Sequence, residues 1–197
     1  MFSSCSHTNH PFDSRHVKAN WWPPDLKCLV IGENPGSPAS AYFYDPIPQN
    51  RRDPVRVRSA LLNMLSQIGI IGSPDLAAFK AAGLVFDHAI RCPLASKTEI
   101  IRQRHLATSF GSPLAHQATY LRPLIEQANK IWVMGHIARD AVIFLMKKED
   151  HDIRYKFAEK LSPPSIYSKF FFSRYLTRCP VRERNMIAEA FKNFWIS

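Results

Sequence analysis

The sequence predicts an α/β domain with three α/β/α layers around a short, mostly parallel sheet of four strands. Short apolar runs, which suit strands buried on both faces, alternate with segments whose apolar residues recur at helical spacing. A chain of 197 residues, 46% of them apolar, is long enough for one domain with its own core. We expect residues 1–20 to form an irregular amino-terminal arm and residues 21–197 to form that single domain.

The first half of the chain supplies two strands and two helices. The segment WWPPDL at 21–26 restricts the backbone before the first apolar run. Ser73-Pro74-Asp75 has the cap, early proline and acidic residue of a helix start, and Gly83 marks its end. The predicted elements are a strand at 28–31, a helix with apolar residues at 57, 61, 62, 65 and 68, the helix after Ser73, and a strand at 84–90.

The second half repeats the alternation of helix and strand. One predicted helix has apolar residues at 121, 124, 125 and 128, and a strand at 131–134 follows it and ends at Gly135. A second helix has an apolar stripe at 137, 138, 141, 142, 145 and 146. A fourth strand is predicted at 166–172, and a final helix at 186, 187, 190, 191 and 194.

The charge of the chain favours a polyanionic partner. Lys and Arg number 26 against 16 Asp and Glu, a formal net charge of +10, and such an excess attracts nucleic acid through counterion release. The arginines form short groups beside aromatics and prolines, and we expect the groups at 51–58 and 174–184 to share one basic face. These groups comprise Arg51, Arg52, Arg56 and Arg58, then Arg102 and Arg104, then Arg174, Arg178, Arg182 and Arg184 with Lys169.

The cellular setting follows from features that the chain lacks. It contains no apolar run of membrane-spanning length and no charged start followed by an apolar segment. The four cysteines are widely separated and form no C-x-x-C pair, which is typical of reduced thiols. We therefore expect a monomeric protein in the cytoplasm, associated with the nucleoid if the source is bacterial, and no membrane partner.

The first strand runs into the turn Gly32-Glu33-Asn34-Pro35-Gly36. Ligands of parallel α/β folds gather at the carboxyl ends of the strands. The turn lacks the Gly-Lys-Ser/Thr of a phosphate loop and the G-x-G-x-x-G spacing of a dinucleotide site. Two interpretations remain: an ordinary turn, since Asn-Pro-Gly is good turn chemistry, or a catalytic turn in which Glu33 or Asn34 holds a water molecule over a substrate.

The segment DLKCLVIGENPG resembles the first motif of the uracil-DNA glycosylase superfamily. The mismatch-specific and single-strand-selective branches of that family carry Gly-x-Asn-Pro-Gly, and its iron–sulfur branch carries Gly-Glu-x-Pro-Gly; this chain has both polar residues. The order of elements over residues 24–195 is similar to the family's. The matching segments are SALLNMLSQIGI, FDHAIRCPLASK, HQATYLRPLIEQANKIWVMGHIARDAV and FFSRYLTR.

The resemblance implies an enzyme that flips a nucleotide out of DNA and hydrolyses its N-glycosidic bond. It places Glu33 at the position of the catalytic acid of the iron–sulfur branch, and Asn34 where the mismatch branch positions water. A carboxylate can stabilise the cation-like sugar and accept a proton from water. We expect Glu33 to do the chemistry and Asn34 to position water or sugar; the alternative is that one of them only caps the turn.

The base pocket implied by the resemblance includes Gly32 and Pro35 of the turn and the aromatic residues of Tyr42-Phe43-Tyr44, one of which would stack on the extruded base. Hydrophobic anchoring of a loop is the alternative for these three rings. His88 stands where uracil-reading branches have an asparagine, so strict uracil specificity is not implied. The alternative is a buried core histidine. The pocket also includes Phe172, in the segment where the family's base-contacting histidine is replaced by an aromatic.

The DNA surface implied by the resemblance follows the fourth strand. Arginine on phosphate, with an apolar residue between base steps, is a known means of kinking DNA. A strand end that leads normally into a helix is the alternative for this segment. The residues assigned to DNA binding are Arg51 and Arg52, then Ser173, Arg174, Tyr175, Leu176 and Arg178.

We expect no cofactor and no metal. Cys92 matches one ligand of the iron–sulfur branch, but Gln117 takes the place of another and the amino-terminal C-x-x-C is missing. The predicted activity is removal of a damaged or mismatched pyrimidine, or a deaminated purine, during DNA repair. Because the family's second-motif histidine is absent, the rival hypothesis is a catalytically weak DNA-binding or lesion-sensing module on the same fold.

Overall fold

The computed structural model describes residues 19–33, 42–45, 55–89, 121–145 and 161–197. Its centre is a mixed, mostly parallel sheet of five strands in the order β2-β1-β3-β5-β4. The α/β class predicted from the sequence is confirmed, with one strand more than expected. The strands are β1 (Cys28–Gly32), β2 (Leu84–His88), β3 (Lys130–Met134), β4 (Ser165–Tyr167) and β5 (Phe170–Ser173).

Helices connect the strands, as the alternating pattern predicted. Two single-turn 3-10 helices are also present: Ala19–Trp21 precedes the first strand, and Leu176–Arg178 follows the last one. None of the helices in the described ranges is both long enough and apolar enough to cross a membrane. The α-helices are α1 (Arg56–Gln67), α2 (Leu76–Ala81), α3 (described over 121–127), α4 (His136–Leu145) and α5 (Val181–Ile196).

The central strand β1 is buried along its whole length and pairs in parallel with β2 and β3. Val30 pairs with Phe86 on one side and with Trp132 on the other. Because side chains alternate along a strand, these residues share one face of the sheet, and Gly32 lies on that face two residues further on. The carboxyl ends of β1, β2, β3 and β5 therefore meet at one edge, where the turn after Gly32 begins.

The fourth predicted strand is wrong in its extent, because residues 166–172 form a hairpin. Ser165–Tyr167 and Phe170–Ser173 pair as antiparallel strands, and the chain reverses at Ser168, whose φ is +49°. A two-residue hairpin turn of this kind needs positive φ. The polar pair Ser168-Lys169 between two apolar runs is the signal of this turn in the sequence.

Lysine side chains cap the carboxyl ends of two helices at the amino edge of the sheet. Lys130 donates to the carbonyls of Phe194 and Trp195, in the last turn of α5. Lys169 donates to the carbonyl of Ala128, just past α3. Both lysines satisfy helix carbonyls that have no partner within the helix. Helix α5 therefore runs from the carboxyl edge of the sheet back to its amino edge.

Two aromatic clusters fill the core on the Trp132 face. The Trp132 ring stacks on Phe191 of α5 at 4.2 Å between centroids. Further along the same row of the sheet, Phe86 stacks on Phe43 at 4.2 Å, and Phe43 also contacts Phe79 of α2. Aromatic pairs in this geometry stabilise a core beyond the area that they bury.

Helix α2 begins two residues later than the tripeptide Ser73-Pro74-Asp75 suggested. Asp75 is the N-cap residue, and its carboxylate accepts the backbone N–H of Ala78 at 2.8 Å. The hydroxyl of Ser73 and that N–H lower the pKa of Asp75. Gly83, at a φ of +80°, ends the segment as expected.

Arg58 corrects the prediction of a single basic face, because its side chain is fully buried. Its guanidinium donates to the carbonyl of Phe43 at 2.8 Å and to that of Asp45. These bonds satisfy two carbonyls of the 42–45 segment and give the buried cation hydrogen bonds in place of its lost hydration. Arg51 and Arg52 of the same predicted group, and Arg102 and Arg104, lie outside the described residues.

Candidate functional site

Glu33 is the first residue after β1, and its side chain points into the protein at the carboxyl edge of the sheet. The residue is only 2% exposed. Its Oε1 accepts the backbone N–H of Ile137 at 3.4 Å, in the first turn of α4. A carboxylate at a helix N-terminus meets unpaired N–H groups and the positive end of the helix dipole. Strand β1 thus supplies the charge that complements α4.

The turn between β3 and α4 is shaped to accept this carboxylate. A Cβ atom on Gly135 would lie 2.4 Å from Oε1 of Glu33, and the φ of Gly135 is +90°, in the region that favours glycine. The backbone N–H of Gly135 donates to the carbonyl of Ser173 at 2.9 Å. Gly135 therefore joins three strand ends at one point: β1 through Glu33, β3 directly, and β5 through Ser173.

Arg178 covers the outer oxygen of Glu33. Its Nη1 lies 2.8 Å from Oε2 of Glu33, an ion pair whose angles fall short of a hydrogen bond. The Arg178 side chain is 58% exposed, against 3% for that of Glu33. The pair is asymmetric, since a buried anion is matched by a cation that remains in contact with solvent.

Tyr175 completes the surroundings of the pair. The Arg178 guanidinium lies 5.3 Å from the centre of the Tyr175 ring, within cation–π range. The 3-10 turn sets this spacing, because the N–H of Arg178 donates to the carbonyl of Tyr175. Burial of the phenol, and secondly the Glu33 charge, raise the pKa of Tyr175 well above its usual value. Its hydroxyl therefore stays protonated beside the carboxylate.

Three of the predicted site residues lie on one face at the carboxyl edge. Gly32 pairs with His88. Ser173 ends β5 on the face that carries Trp132, and its hydroxyl accepts a hydrogen bond from Nε1 of Trp132 at 2.8 Å. The Phe86 ring leaves no room for a side chain at Gly32, because a Cβ there would lie 2.6 Å from Cζ of Phe86. The His88 ring is buried and packs edge-on against Phe86.

The three aromatics, one of which was predicted to stack on a base, are all inside the core. Tyr42, Phe43 and Tyr44 are each 5% exposed or less. The Tyr44 hydroxyl donates to the carbonyl of Phe86 and accepts its N–H, which satisfies both polar groups of one residue on the outer strand β2. In this arrangement Phe43 and Tyr44 anchor the 42–45 segment to the sheet.

The segment assigned to DNA binding is divided between core and surface. Phe172 and Leu176 are buried, and Phe172 points to the sheet face opposite to that of Ser173. The Ser173 hydroxyl is engaged, since it accepts from Trp132 and donates to the carbonyl of Arg174. Arg174 pairs with the buried Glu183 at 2.8 Å. Asn34 and Pro35 lie outside the described residues.

Sequence reasoning missed two buried carboxylates and the contact of Glu33 with the start of α4. Glu183 is 7% exposed and Asp87 is 2% exposed; Asp87 interrupts the apolar run LVFDH and accepts the N–H of His88 at 2.8 Å. The charged residue inside a strand was a usable signal. Nothing near Ile137 in the sequence indicates that its N–H meets a carboxylate 104 residues earlier.

The described residues contain no cluster of three His, Cys, Asp or Glu side chains that could hold a metal ion. Cys28 and Cys179 are buried free thiols, whereas Cys92 and Gln117, which bear on the iron–sulfur comparison, lie outside the described ranges. Comparison with known proteins found no matching family model, no matching curated protein and no matching solved structure.

Proposed function

We propose that this protein is a DNA glycosylase with a three-layer fold of the uracil-DNA glycosylase type. It would hydrolyse the N-glycosidic bond of a flipped-out damaged, deaminated or mismatched base. The observation that carries the proposal is the placement of Glu33: a buried carboxylate at the carboxyl end of the central parallel strand, beside a helix N-terminus and under a solvent-exposed arginine.

The chemistry assigned to Glu33 is that of a base and electrostatic stabiliser. As the glycosidic bond breaks, its electron pair leaves with the base and positive charge develops on the sugar. Water adds to the anomeric carbon and gives its proton to the carboxylate, and the departing base finally takes up a proton from solvent. Asn34 would position the water or the sugar.

Access to Glu33 depends on Arg178. The carboxylate is nearly inaccessible while the guanidinium lies against it. Because Arg178 is largely exposed, its side chain can turn toward solvent without moving the sheet or the helices. A DNA phosphate, which binds arginine by charge-assisted hydrogen bonds, would compete with Glu33 for this cation. Substrate binding would thereby uncover the carboxylate.

A second candidate function is DNA binding without base release. It is favoured by Ser173, whose hydroxyl is already engaged by Trp132 and by the carbonyl of Arg174. The two preceding residues, Phe171 and Phe172, are buried aromatics in the segment where the resemblance implies a histidine. Loss of such a donor to the leaving group typically costs about 10²–10³ in rate.

Replacement of Glu33 by glutamine tests the proposed function. Glu33→Gln keeps the shape of the side chain and the acceptor for Ile137 but removes the charge, so base release should stop. DNA binding should be kept at wild-type strength or become tighter, because Arg178 no longer pairs with a carboxylate. The assay measures abasic sites in oligonucleotides that carry uracil, hypoxanthine, xanthine, G·T or G·U. Single-turnover conditions with excess enzyme detect slow release.

Glu183→Gln is the matched control, because Glu183 is also a buried carboxylate paired with an arginine. It should leave base release unchanged after correction for folded protein. Equal losses in both variants would indicate a general effect of burying a neutral amide. If the wild-type protein binds these oligonucleotides but releases no base from any of them, the DNA-binding module replaces the glycosylase.

A further inference from the structure

A cleft of about 510 Å³ lies between α1 and the start of α5. Its volume falls within the range of ligand pockets. On one wall, Arg56, Asn63 and Gln67 form a stripe along the exposed side of α1, at spacings that place them on one helix face. On the other wall lie Thr177, Arg184 and Asn185.

The lining of the cleft is suited to an anion. Two guanidinium groups, amides and hydroxyls point toward it, and the described residues that line it include no carboxylate. The Nε atom of Arg184 is buried and has no hydrogen-bond partner among the described residues. A buried donor without a partner costs free energy, so a ligand that accepts a hydrogen bond there would be favoured.

The cleft adjoins, along the chain, the segment that covers Glu33. Thr177 lines the cleft, and the next residue, Arg178, contacts Glu33. From Arg56 to Gln67 the stripe is about 16 Å long at 1.5 Å per residue. One strand of DNA rises about 3.4 Å per nucleotide, so the stripe matches four to five nucleotides, and arginine, amide and hydroxyl groups are the usual donors to phosphate.

We infer that this cleft binds the phosphodiester backbone of the DNA strand whose neighbouring nucleotide is presented to Glu33. The inference rests on the proposed DNA substrate but not on the chemistry of Glu33. It assigns strand binding to Arg56 and Arg184, two arginines outside the residues that contact the carboxylate. The cleft holds the strand by its phosphates, and the contacts are therefore independent of base sequence.

The test is the salt dependence of binding to an undamaged oligonucleotide, measured by fluorescence anisotropy. Each of Arg56→Gln and Arg184→Gln should weaken binding and reduce the slope of log K against log salt by about 0.7–0.9, with additive effects in the double variant. The control is Lys192→Gln, which removes an exposed charge near the opposite end of α5. It should leave affinity and slope close to wild type.

Wild-type affinity and slope in the double variant would overturn the inference while leaving the proposed function intact, provided that base release from lesions continues. A double variant with a reduced slope would support the cleft even if the wild-type protein releases no base. Inorganic phosphate provides a second arm. If it protects the wild-type protein from thermal unfolding as strongly as the oligonucleotide does, and the double variant loses that protection, the cleft is a site for free phosphate and the inference fails.

Discussion

Glu33 is held by three partners from two parts of the chain: the N–H of Ile137 and the turn at Gly135, and the guanidinium of Arg178. The first two are backbone groups within the core, whereas Arg178 is an exposed side chain. Removal of Arg178 leaves a buried charge without its cation, and such a group costs more than an exposed ion pair contributes. The contribution of the ion pair to protein stability therefore depends mainly on the burial of Glu33.

Arg178→Ala should lower the free energy of unfolding by about 1–3 kcal/mol, because Glu33 loses its counter-charge. The same substitution in a Glu33→Gln background should cost close to nothing, since a neutral amide needs no cation. Urea unfolding of the four proteins measures the coupling. If Arg178→Ala costs the same in both backgrounds, its contribution comes from contact with the Tyr175 ring rather than from Glu33.

At the scale of the secondary-structure elements, the start of α4 connects the site to the fold. Gly135 ends β3 and permits the Glu33 carboxylate to reach the first turn of the helix. Gly69 provides a natural comparison: its φ of +76° is similar, but a Cβ there would meet nothing within 4 Å. Substitutions at the two glycines therefore distinguish the cost of backbone strain from the cost of contact with the Glu33 carboxylate.

Gly69→Ala should destabilise the protein by about 1–2 kcal/mol, the cost of a left-handed conformation for a residue with a Cβ. Gly135→Ala should lower the free energy of unfolding by about 1–3 kcal/mol more than Gly69→Ala does, because the Glu33 carboxylate must move. Thermal or urea unfolding measures both variants, and only Gly135→Ala should also reduce base release. Equal destabilisation by the two substitutions would show that Glu33 can move without cost.

At the scale of the whole molecule, burial of thiols makes the free energy of unfolding change with pH in the alkaline range. Burial raises the pKa of the Cys28 thiol from 9.0 to about 12, and burial followed by the Glu183 charge raises that of Cys179 to about 11. The folded protein then holds these protons more tightly than the unfolded chain does. Their stabilising contribution is complete below pH 9 and is lost as pH rises toward 11 and 12.

The free energy of unfolding should therefore fall between pH 9 and pH 12, and the fall should be shallower in Cys28→Ala. Urea unfolding at several pH values measures the slope, which the cavity left by the smaller residue does not affect. A slope unchanged in Cys28→Ala would mean that the thiol does not titrate differently in the folded and unfolded chains. Cys179→Ala should change the slope over a lower part of the same range.

Much of the α/β pattern was readable because it depends on local periodicity. The strands at Cys28–Gly32 and Lys130–Met134 are apolar on both faces, and the apolar stripes of α1, α4 and α5 lie at helical spacing. Such patterns reflect burial, which the chain encodes residue by residue. The fourth strand was misread because its turn has no glycine or asparagine to indicate a positive φ, and the polar pair Ser168-Lys169 was its only local signal.

The sequence alone thus determined the α/β class, the parallel strands and the position of Glu33 at the end of the first of them. Tertiary structure decided what surrounds that residue: Ile137 and Gly135 from one crossover, and Arg178 from another. It also decided that Arg58 is buried while Arg56 is exposed. The physical reason is that periodicity records which side of an element is buried, whereas the partners of the buried Glu33 carboxylate come from residues more than a hundred positions away.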